Sequence, residues 1–238
     1  MLSSLDWKIR DFARDKLIVR ERSPAADAVI VRAGIVCRQV AGDTGQRQIA
    51  SLHFPGDLVN LDSCYLGIAT TSLQAMTAAS VAMSPRDTFL AFLDSHEGAN
   101  RAVWIASMAD AAEARMMAAN LARKSARARV ANLLCQIAFR LDEDEFRRSG
   151  EFHQPLSQKQ IADATSLTSI HVNRVLRSLD SDGLLRRSRA CYQVPDIQAL
   201  AELGAFEPEH QQRLRHEASA LLWPMADEPA AFREARRA

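Results

Sequence analysis

The side chains best suited to chemistry in this sequence lie on one predicted helix that begins after Thr168. Its polar face carries hydrogen-bonding or basic groups at Ser169, His171, Asn173, Arg174 and Arg177. Its other face carries apolar residues at helical spacing, Val172, Val175, Leu176 and Leu179. Thr168 is a candidate N-cap, and Gly183 is a candidate left-handed residue at the C-terminal end. Short polar groups near the start of such a helix suit contact with base edges in the DNA major groove.

A shorter helix is predicted just before this one. Ser157 and Gln160 have the spacing of a capping box, in which each side chain accepts a hydrogen bond from the backbone N–H of the other residue. Ile161, Ala162 and Thr165 follow, and they form a face of this helix whose side chains are small enough for another helix to cross it closely. Two short helices joined by a tight turn are the arrangement that major-groove recognition requires.

Residues 184–194 predict two short strands around a basic turn, which together form a wing. Arg186, Arg187 and Arg189 belong to this wing, where they can meet phosphates. Between residues 156 and 194 the chain has six basic and three acidic residues, whereas the net charge of the whole chain is only +1. Any nucleic-acid surface is therefore expected to be a local patch. The alternative is that the apolar positions mark only an ordinary three-helix core.

Residues 156–194 resemble the winged helix of the Crp/Fnr family of bacterial transcription regulators. The resemblance places Arg174 on the base-reading arginine of the family, and Ser169 and Ile170 on its other two specificity positions. Most well-studied members have glutamate where Ile170 stands and glycine where Ser166 stands. A serine held at positive φ costs on the order of 1 kcal/mol. The resemblance implies that Arg174 binds guanine through O6 and N7. Ile170 departs from the family at its position, and its apolar side chain is expected to contact a thymine methyl group.

The predicted contacts to DNA fall into two sets. The predicted base-reading residues are Ser169, Ile170, Asn173 and Arg174. The residues predicted to contact the DNA backbone are Thr168, His171, Arg177, Arg186, Arg187 and Arg189.

The N-terminal half has a different sequence pattern, in which short apolar runs alternate with turn residues. Strands are predicted at residues 17–19, 28–31, 35–37 and 49–52. Before them, Leu5, Ile9 and Phe12 recur at helical spacing and predict a short helix within residues 1–15. Many short strands without intervening helices indicate a closed sandwich or barrel. The segment F-P-G-D-L at residues 54–58 resembles the signature loop of the family's cyclic-nucleotide-binding-like jelly roll.

The known signals of the family can be compared with this half of the chain. Cyclic AMP needs an arginine for its phosphate, but no arginine occurs between Arg47 and Arg86. A buried cyclic phosphate without a cationic partner is poorly compensated, so cyclic AMP is disfavoured. The four cysteines are far apart in sequence, at Cys37, Cys64, Cys135 and Cys191. An iron–sulfur cluster, which needs four grouped thiolates, is therefore disfavoured as well.

No cofactor is predicted, and the nature of any signal stays open. An unidentified small molecule bound in the jelly roll is the default expectation. The alternatives are haem held by His53, Cys37 or Cys64, a redox switch at Cys37 or Cys64, and regulation by the abundance of the protein alone.

A long helix is predicted from about residue 96 to residue 122. It carries an apolar stripe at three- and four-residue steps, formed by Ile105, Met108, Ala112, Met116 and Ala119. In the family the equivalent helix forms a two-fold dimer interface, so the resemblance implies a homodimer, which two DNA half-sites also require. The alternative is a helix that packs only on its own domain.

Three further segments complete the prediction. The basic run at residues 122–130 leads into an apolar helix that seats the two short helices, and its cations either touch phosphates or form a solvated surface. Residues 142–151 are predicted to be a charged, exposed loop. Residues 205–238 lie beyond the family pattern and predict an amphipathic helix followed by a loose tail.

Composition excludes several other classes of protein. Apolar residues make up 47% and charged residues 25% of the chain, as in soluble globular proteins. No apolar run has the length of a signal peptide or of a membrane span, so a cytoplasmic protein without a membrane partner is predicted. The six histidines are scattered, and no Gly-rich phosphate loop, HExxH or GxSxG motif occurs. The protein is therefore not expected to be an enzyme.

The sequence thus predicts an α+β protein with four segments. They are a jelly-roll sensor domain at 1–95, a dimerisation helix at 96–122, a winged helix-turn-helix domain at 123–204 and a C-terminal extension at 205–238. The predicted function is that of a homodimeric transcription regulator that reads a palindromic operator in double-stranded DNA, with RNA polymerase as the expected protein partner. The alternative is a ligand-binding or protein-interaction module whose winged helix docks a protein.

Overall fold

The computed structural model describes residues 5–41, 47–188 and 191–209. The chain divides into two compact units between Arg115 and Met116. Each unit buries its own set of apolar side chains.

Antiparallel strands dominate the first unit. Their bounds are β1 (Lys8–Phe12), β2 (Leu17–Val19), β3 (Asp27–Ala33), β4 (Val36–Ala41), β5 (Arg47–His53), β6 (Ser72–Ala75) and β7 (Ala79–Pro85). They form two sheets, one with the order β1-β7-β3 and the other with the order β2-β6-β4-β5. The four strands predicted from apolar runs are confirmed as β2, β3, β4 and β5.

The two faces of β3 explain why its sequence is a continuous apolar run. Val29 and Val31 belong to a core between the two sheets, to which β4, β6 and β7 also contribute. Ala28 and Ile30 point the other way, into a core with the helices of this unit. These helices are α1 (Leu61–Leu66), α2 (Arg86–Ser95) and the beginning of α3 (Glu97–Arg123). A strand buried on both faces lacks the alternation of a half-buried strand.

The F-P-G-D loop after β5 is fastened to β3. Gly56 has a φ of 95°, which glycine adopts without strain. Its N–H donates to the Val31 carbonyl at 2.8 Å, and the Val31 N–H donates to the Asp57 carbonyl at 2.9 Å. The Asp57 carboxylate also accepts from the Phe54 N–H at 2.9 Å. These hydrogen bonds give the loop a fixed shape at the edge of the sandwich.

The short helix predicted within residues 1–15 is wrong, because β1 occupies this place. Every residue of β1 pairs with β7, from Lys8 opposite Met83 to Phe12 opposite Ala79. Phe12 also packs against the core between the sheets. The three apolar residues fit a helical spacing, but an isolated short helix is only marginally stable in water, whereas pairing with β7 gives this segment its backbone hydrogen bonds along a whole strand.

Helices dominate the second unit, and a small sheet completes it. Their bounds are α4 (Ala126–Leu141), α5 (Glu143–Ser149), β8 (Glu151–His153), α6 (Gln158–Thr165), α7 (Ser169–Ser181), β9 (Arg186–Ser188), β10 (Cys191–Gln193) and α8 (Ile197–Gly204). Helix α4 packs against α6, α7 and α8 through buried residues such as Leu134 and Ile137. The strands form an antiparallel sheet in the order β8-β10-β9. The predicted wing strands are thus confirmed as β9 and β10.

The charged loop predicted at residues 142–151 is wrong, because α5 forms there. The Asp142 side chain caps this helix by accepting from the Glu145 N–H at 3.0 Å. Acidic residues fill its first turn and basic residues its last turn, as the helix dipole favours. Gly150 ends it at a φ of 70°, where a Cβ atom would lie 2.2 Å from the Val194 carbonyl oxygen. Beyond residue 209 the predicted helix and tail lie outside the described residues.

Candidate nucleic-acid interface

Local hydrogen bonds fix the start of α6 as the sequence predicts. The Ser157 hydroxyl accepts from the Gln160 N–H at 3.2 Å, and the Gln160 side-chain oxygen accepts from the Ser157 N–H at 2.9 Å. Ser166 follows the helix with φ 52° and ψ 47°, in the left-handed region. The Leu167 N–H then returns to the Ala162 carbonyl at 3.0 Å. The capping box and the tight turn are both confirmed.

Helix α7 begins and ends at the predicted residues. The Thr168 hydroxyl accepts from the His171 N–H at 3.2 Å, which makes Thr168 the N-cap. Gly183 has a φ of 74° just after the helix. The buried residues of this helix are Val172, Val175, Leu176 and Leu179. The opposite face is consequently turned to solvent.

The four predicted base-reading side chains lie on α7, but they differ in exposure and in whether another residue already binds them. Ser169 and Arg174 are exposed, and Ile170 is 76% exposed although it is apolar. Asn173 is only half-buried, and its Nδ2 donates to Oε1 of Gln158 at 3.1 Å. Three of these side chains can therefore meet a groove directly, whereas Asn173 is already anchored to α6.

The residues predicted to contact the DNA backbone also differ in exposure. His171 and Arg177 are exposed on α7, and Arg186 is exposed on β9. Arg187 differs, because its side chain is only 22% exposed and its Nη2 lies 3.6 Å from Oδ2 of Asp180. Burial raises the pKa of Tyr192, and the neighbouring Arg187 opposes that shift. Arg187 therefore joins the wing to α7, and Arg189 lies outside the described residues.

The acidic residues at the end of α7 have basic partners. Asp180 faces Arg187, and Asp182 lies 2.5 Å from Nη1 of Arg127. The same Arg127 nitrogen donates to the Ser178 hydroxyl at 3.0 Å. Such pairing offsets negative charge that would otherwise repel a phosphate backbone close to the exposed arginines.

Three polar side chains, at Lys124, Arg129 and Asn132, hold the helices of this unit together. Nζ of Lys124 donates to the Gly204 carbonyl at 2.6 Å, and Nδ2 of Asn132 donates to the same oxygen at 3.0 Å. Nη1 of Arg129 donates to the Thr165 carbonyl at 3.1 Å. The two cations thus meet the negative C-terminal ends of α8 and α6. Burial lowers the pKa of Lys124, although Glu207 opposes the shift.

This result differs from both expectations for the basic run at residues 122–130. Lys124 and Arg129 donate hydrogen bonds to backbone carbonyls within their own unit. These two cations are therefore neither unoccupied phosphate ligands nor part of a merely solvated surface. No sequence signal could have shown it, because their carbonyl partners lie 80 and 36 residues further along the chain.

The residues of the stripe predicted for the dimer are exposed or half-buried along α3. Met108 is 63% exposed, Ala119 is exposed, and the other three residues of the stripe are half-buried. The residues that α3 buries are Ala99, Ala102, Val103, Ala109 and Glu113. The stripe therefore flanks the buried face of the helix and shares none of its buried residues.

The cysteines of the described residues are mostly inaccessible. Cys37, Cys64 and Cys135 are buried, and Cys191 is exposed on the wing. Burial raises the pKa of Cys64 to about 12, against the opposing charge of Arg86, and burial raises the pKa of Cys135 to about 12. Such thiols carry little thiolate at neutral pH.

Within residues 5–41, 47–188 and 191–209, no group of three or more His, Cys, Asp or Glu side chains is placed to hold a metal ion. None of the helices in these ranges has the length and apolarity needed to cross a membrane.

Two family models match separate parts of this chain. The model of the Crp-like helix-turn-helix domain matches residues 128–203, which include α6, α7 and the wing. The model of the cyclic nucleotide-binding domain matches residues 9–96, which include the sandwich.

Two curated proteins illustrate the similarity at the level of sequence. The nitrogen fixation regulation protein FixK of Azorhizobium caulinodans is 28% identical over 176 residues, which are 73% of this chain and 69% of that protein. The transcriptional activator protein Anr of Pseudomonas aeruginosa is 23% identical over 176 residues, which are 74% of this chain and 72% of that protein.

Solved structures show the same architecture. FixK2 of Bradyrhizobium japonicum is 26% identical and superimposes with a TM-score of 0.72, covering 84% of this chain and 98% of FixK2. A Crp-family transcriptional regulator of Thermus thermophilus is 22% identical and superimposes with a TM-score of 0.67, covering 82% of this chain and 96% of that protein. At this level of identity the similarity is evidence for the fold only.

Proposed function

Because this chain belongs to the Crp/Fnr family of transcription regulators, we propose that it acts as a homodimer that reads a palindromic operator in the cytoplasm. Its α7 would enter the major groove of each half-site. Its activity would consist of binding to DNA and to the transcription machinery, without catalysis.

The exposed face of α7 is the observation that carries this proposal. Ile170 and Arg174 project from the first two turns of a helix whose opposite face is buried. An arginine at such a place can donate two hydrogen bonds to O6 and N7 of guanine, which is worth about 1–3 kcal/mol of discrimination. Ile170 offers an apolar contact to a thymine methyl group, and Ser169 offers a hydroxyl to a neighbouring base.

Phosphate contacts are proposed for the exposed residues around this face. Arg177 and Arg186 supply positive charge, His171 supplies ring nitrogens, and Thr168 offers its hydroxyl O–H beside the cap bond. Such contacts position the protein on DNA and weaken as salt rises, whereas base contacts determine the sequence preference.

A second copy of the chain is proposed to cover the stripe on α3. Exposed Met108 and Ala119 would then be removed from water, and alanines would let the two helices approach closely. Two α7 helices related by a two-fold axis would meet half-sites about one helical turn apart.

A signal and a polymerase contact complete the proposal. The first unit contains a cavity of about 210 Å³ lined by charged residues such as Arg10, Arg20 and Asp27 and by apolar residues such as Ile18 and Met83, and it is a candidate site for a small effector. The Anr relative is named a transcriptional activator, so contact with RNA polymerase is proposed for this chain as well.

Selection of binding sites from a random DNA pool tests the proposed function. The full-length protein should enrich a two-fold symmetric site with half-sites about one helical turn apart. Arg174→Ala should lose the guanine preference at one position of each half-site, whereas Arg177→Ala should weaken binding to all sequences alike. A module that docks a protein would not bind random duplex DNA even at low salt, and that result would overturn the proposal.

A further inference from the structure

Asn173 is the one predicted base-reading residue that a neighbouring helix holds in place. Its Nδ2 donates to Oε1 of Gln158 at 3.1 Å, across the angle between α7 and α6. Among the residues that the structure describes, Gln158 is the hydrogen-bond partner of this amide, and Oδ1 of Asn173 has no partner. The amide therefore has a defined orientation before any DNA arrives.

Both ends of this hydrogen bond start from rigid backbone. Gln158 is the first residue of α6, directly after the capping box formed by Ser157 and Gln160. Asn173 lies between Val172 and the next buried positions of α7, so its backbone is fixed by the core of the unit. Groups whose supporting residues are already ordered lose little additional freedom when they bind a ligand.

The hydrogen bond restricts what Asn173 can offer to a base. An asparagine amide has two N–H donors and one oxygen acceptor, and Gln158 occupies one of the donors. The edge of the Asn173 amide that stays free for a base has one acceptor, Oδ1, and one donor, the second N–H of Nδ2. Adenine presents the complementary pair in the major groove, its N6 amino group as donor and its N7 as acceptor, whereas guanine presents two acceptors there.

We propose that Gln158 is a positioning residue for DNA specificity, and that it holds the Asn173 amide in the orientation that selects adenine. A free asparagine could turn its N–H groups toward O6 or N7 of guanine. With Nδ2 bonded to Gln158, that turn would place Oδ1 of Asn173 against Oε1 of Gln158, two acceptors without a proton between them. This inference rests on the proposed function, because it presumes that α7 lies in the major groove.

The inference separates two roles that Gln158 can have. A contact from Gln158 to a phosphate would alter affinity for every sequence equally, since phosphates carry no sequence information. A positioning role alters the preference at a single base pair, and only while Asn173 is present. A double-mutant cycle distinguishes the two roles.

The experiment begins with sites selected by the full-length wild-type protein. The Asn173→Ala variant identifies the position within each half-site that Asn173 reads. We expect adenine at this position, preferred over guanine by roughly tenfold. Replacing that adenine by purine, which lacks the N6 amino group, or by 7-deazaadenine, which lacks N7, should each weaken binding of the wild type.

The Gln158→Ala variant should then lose most of the adenine preference and keep the guanine preference at the position of Arg174. In the Asn173→Ala background, Gln158→Ala should change nothing further at that position. Gln158→Glu is the matched control: its carboxylate can accept the same hydrogen bond, so the adenine preference should persist while its negative charge weakens binding to all sequences.

Three results would overturn the inference while leaving the proposed function intact. They are a base other than adenine at the Asn173 position, an equal loss of affinity for all sequences in Gln158→Ala, and an effect of Gln158→Ala that persists without Asn173. If the wild type selects no site at all, the guanine preference at Arg174 is missing as well, and the proposed function itself fails.

Discussion

Ser166 stands at the turn between α6 and α7 with φ 52°, a conformation that glycine adopts without strain. Side chains disfavour this region because Cβ crowds the following carbonyl oxygen. We expect Ser166→Gly to raise the free energy of unfolding by about 0.5–1 kcal/mol. The steric energy that glycine relieves in the folded state is larger than the conformational entropy that it adds to the unfolded chain. Urea denaturation of both proteins measures it. A decrease would mean that contacts of the Ser166 side chain outweigh the strain.

Gly183 provides the reverse experiment at the other end of α7. It has a φ of 74°, and a Cβ atom placed there would meet nothing within 4 Å. Gly183→Ala therefore introduces backbone strain without a clash, and we expect it to lower the free energy of unfolding by about 1 kcal/mol. Together the two substitutions separate backbone conformation from packing at the ends of the helices.

The cysteines lead to a prediction about reactivity. Cys191 is exposed, whereas Cys37, Cys64 and Cys135 are buried. We expect one thiol per folded chain to react rapidly with an aromatic disulfide reagent and all four to react after unfolding. Cys191→Ser should abolish the rapid phase. Rapid reaction in that variant would instead favour a redox switch at one of the buried cysteines.

At the scale of the elements, local signals predicted more than long-range ones. The caps at Ser157 and Thr168 and the turn at Gly183 depend on neighbouring residues, so the sequence alone located α6 and α7. The same kind of signal exists for α5, whose Asp142 cap and acidic first turn favour a helix, although the density of charged residues there predicts an exposed loop.

Elements defined by distant partners could not be located in this way. Strand β7 contains Ser80 and Ser84, residues with little preference for strands, and it becomes a strand because β1 and β3 pair with it on either side. The anchoring of Lys124 to the Gly204 carbonyl likewise depends on a partner far along the chain. The orientation of Asn173 needed the angle between α6 and α7, which no spacing in the sequence contains.

An ion pair between two elements of the first unit makes stability depend on pH. Nη2 of Arg38 on β4 lies 2.5 Å from Oδ1 of Asp62 on α1. Burial tends to raise the pKa of Asp62, but the charge of Arg38 and hydrogen bonds from Thr70, Arg38 and the Ser63 backbone hold it below its ordinary value of 3.8. This carboxylate therefore stabilises the fold above pH 3.8, and the contribution is lost as the pH falls through the lower folded value.

Asp62→Asn should accordingly lower the free energy of unfolding at neutral pH by on the order of 1 kcal/mol, because the pair is partly solvated. The difference from the wild type should shrink once the pH falls below 3.8. Denaturant unfolding at a series of pH values measures this difference. Asp11→Asn removes an exposed carboxylate of β1 as a control, and an equal effect there would refute a specific role for the ion pair.

At the scale of the whole molecule, DNA recognition depends on having two copies of α7. One short helix contacts few base pairs, so a single chain would bind an operator weakly and with little preference. The proposed dimer doubles the contacts and adds a geometric requirement, the spacing between half-sites. Loss of the dimer should therefore cost more affinity for a selected site than for random DNA.

The stripe on α3 allows this dependence to be tested with matched substitutions. Met108→Glu with Ala119→Glu places two charges in the proposed dimer contact, whereas Ala111→Glu with Ala118→Glu places the same two charges at exposed positions on another face of α3. We expect only the first pair to yield a monomer in analytical ultracentrifugation, since buried like charges without partners oppose association. That monomer should lose at least about tenfold in affinity for the symmetric site and keep its binding to random DNA at low salt. A dimer that survives the first pair, or dissociates equally with the second, would show that another surface holds the two chains together.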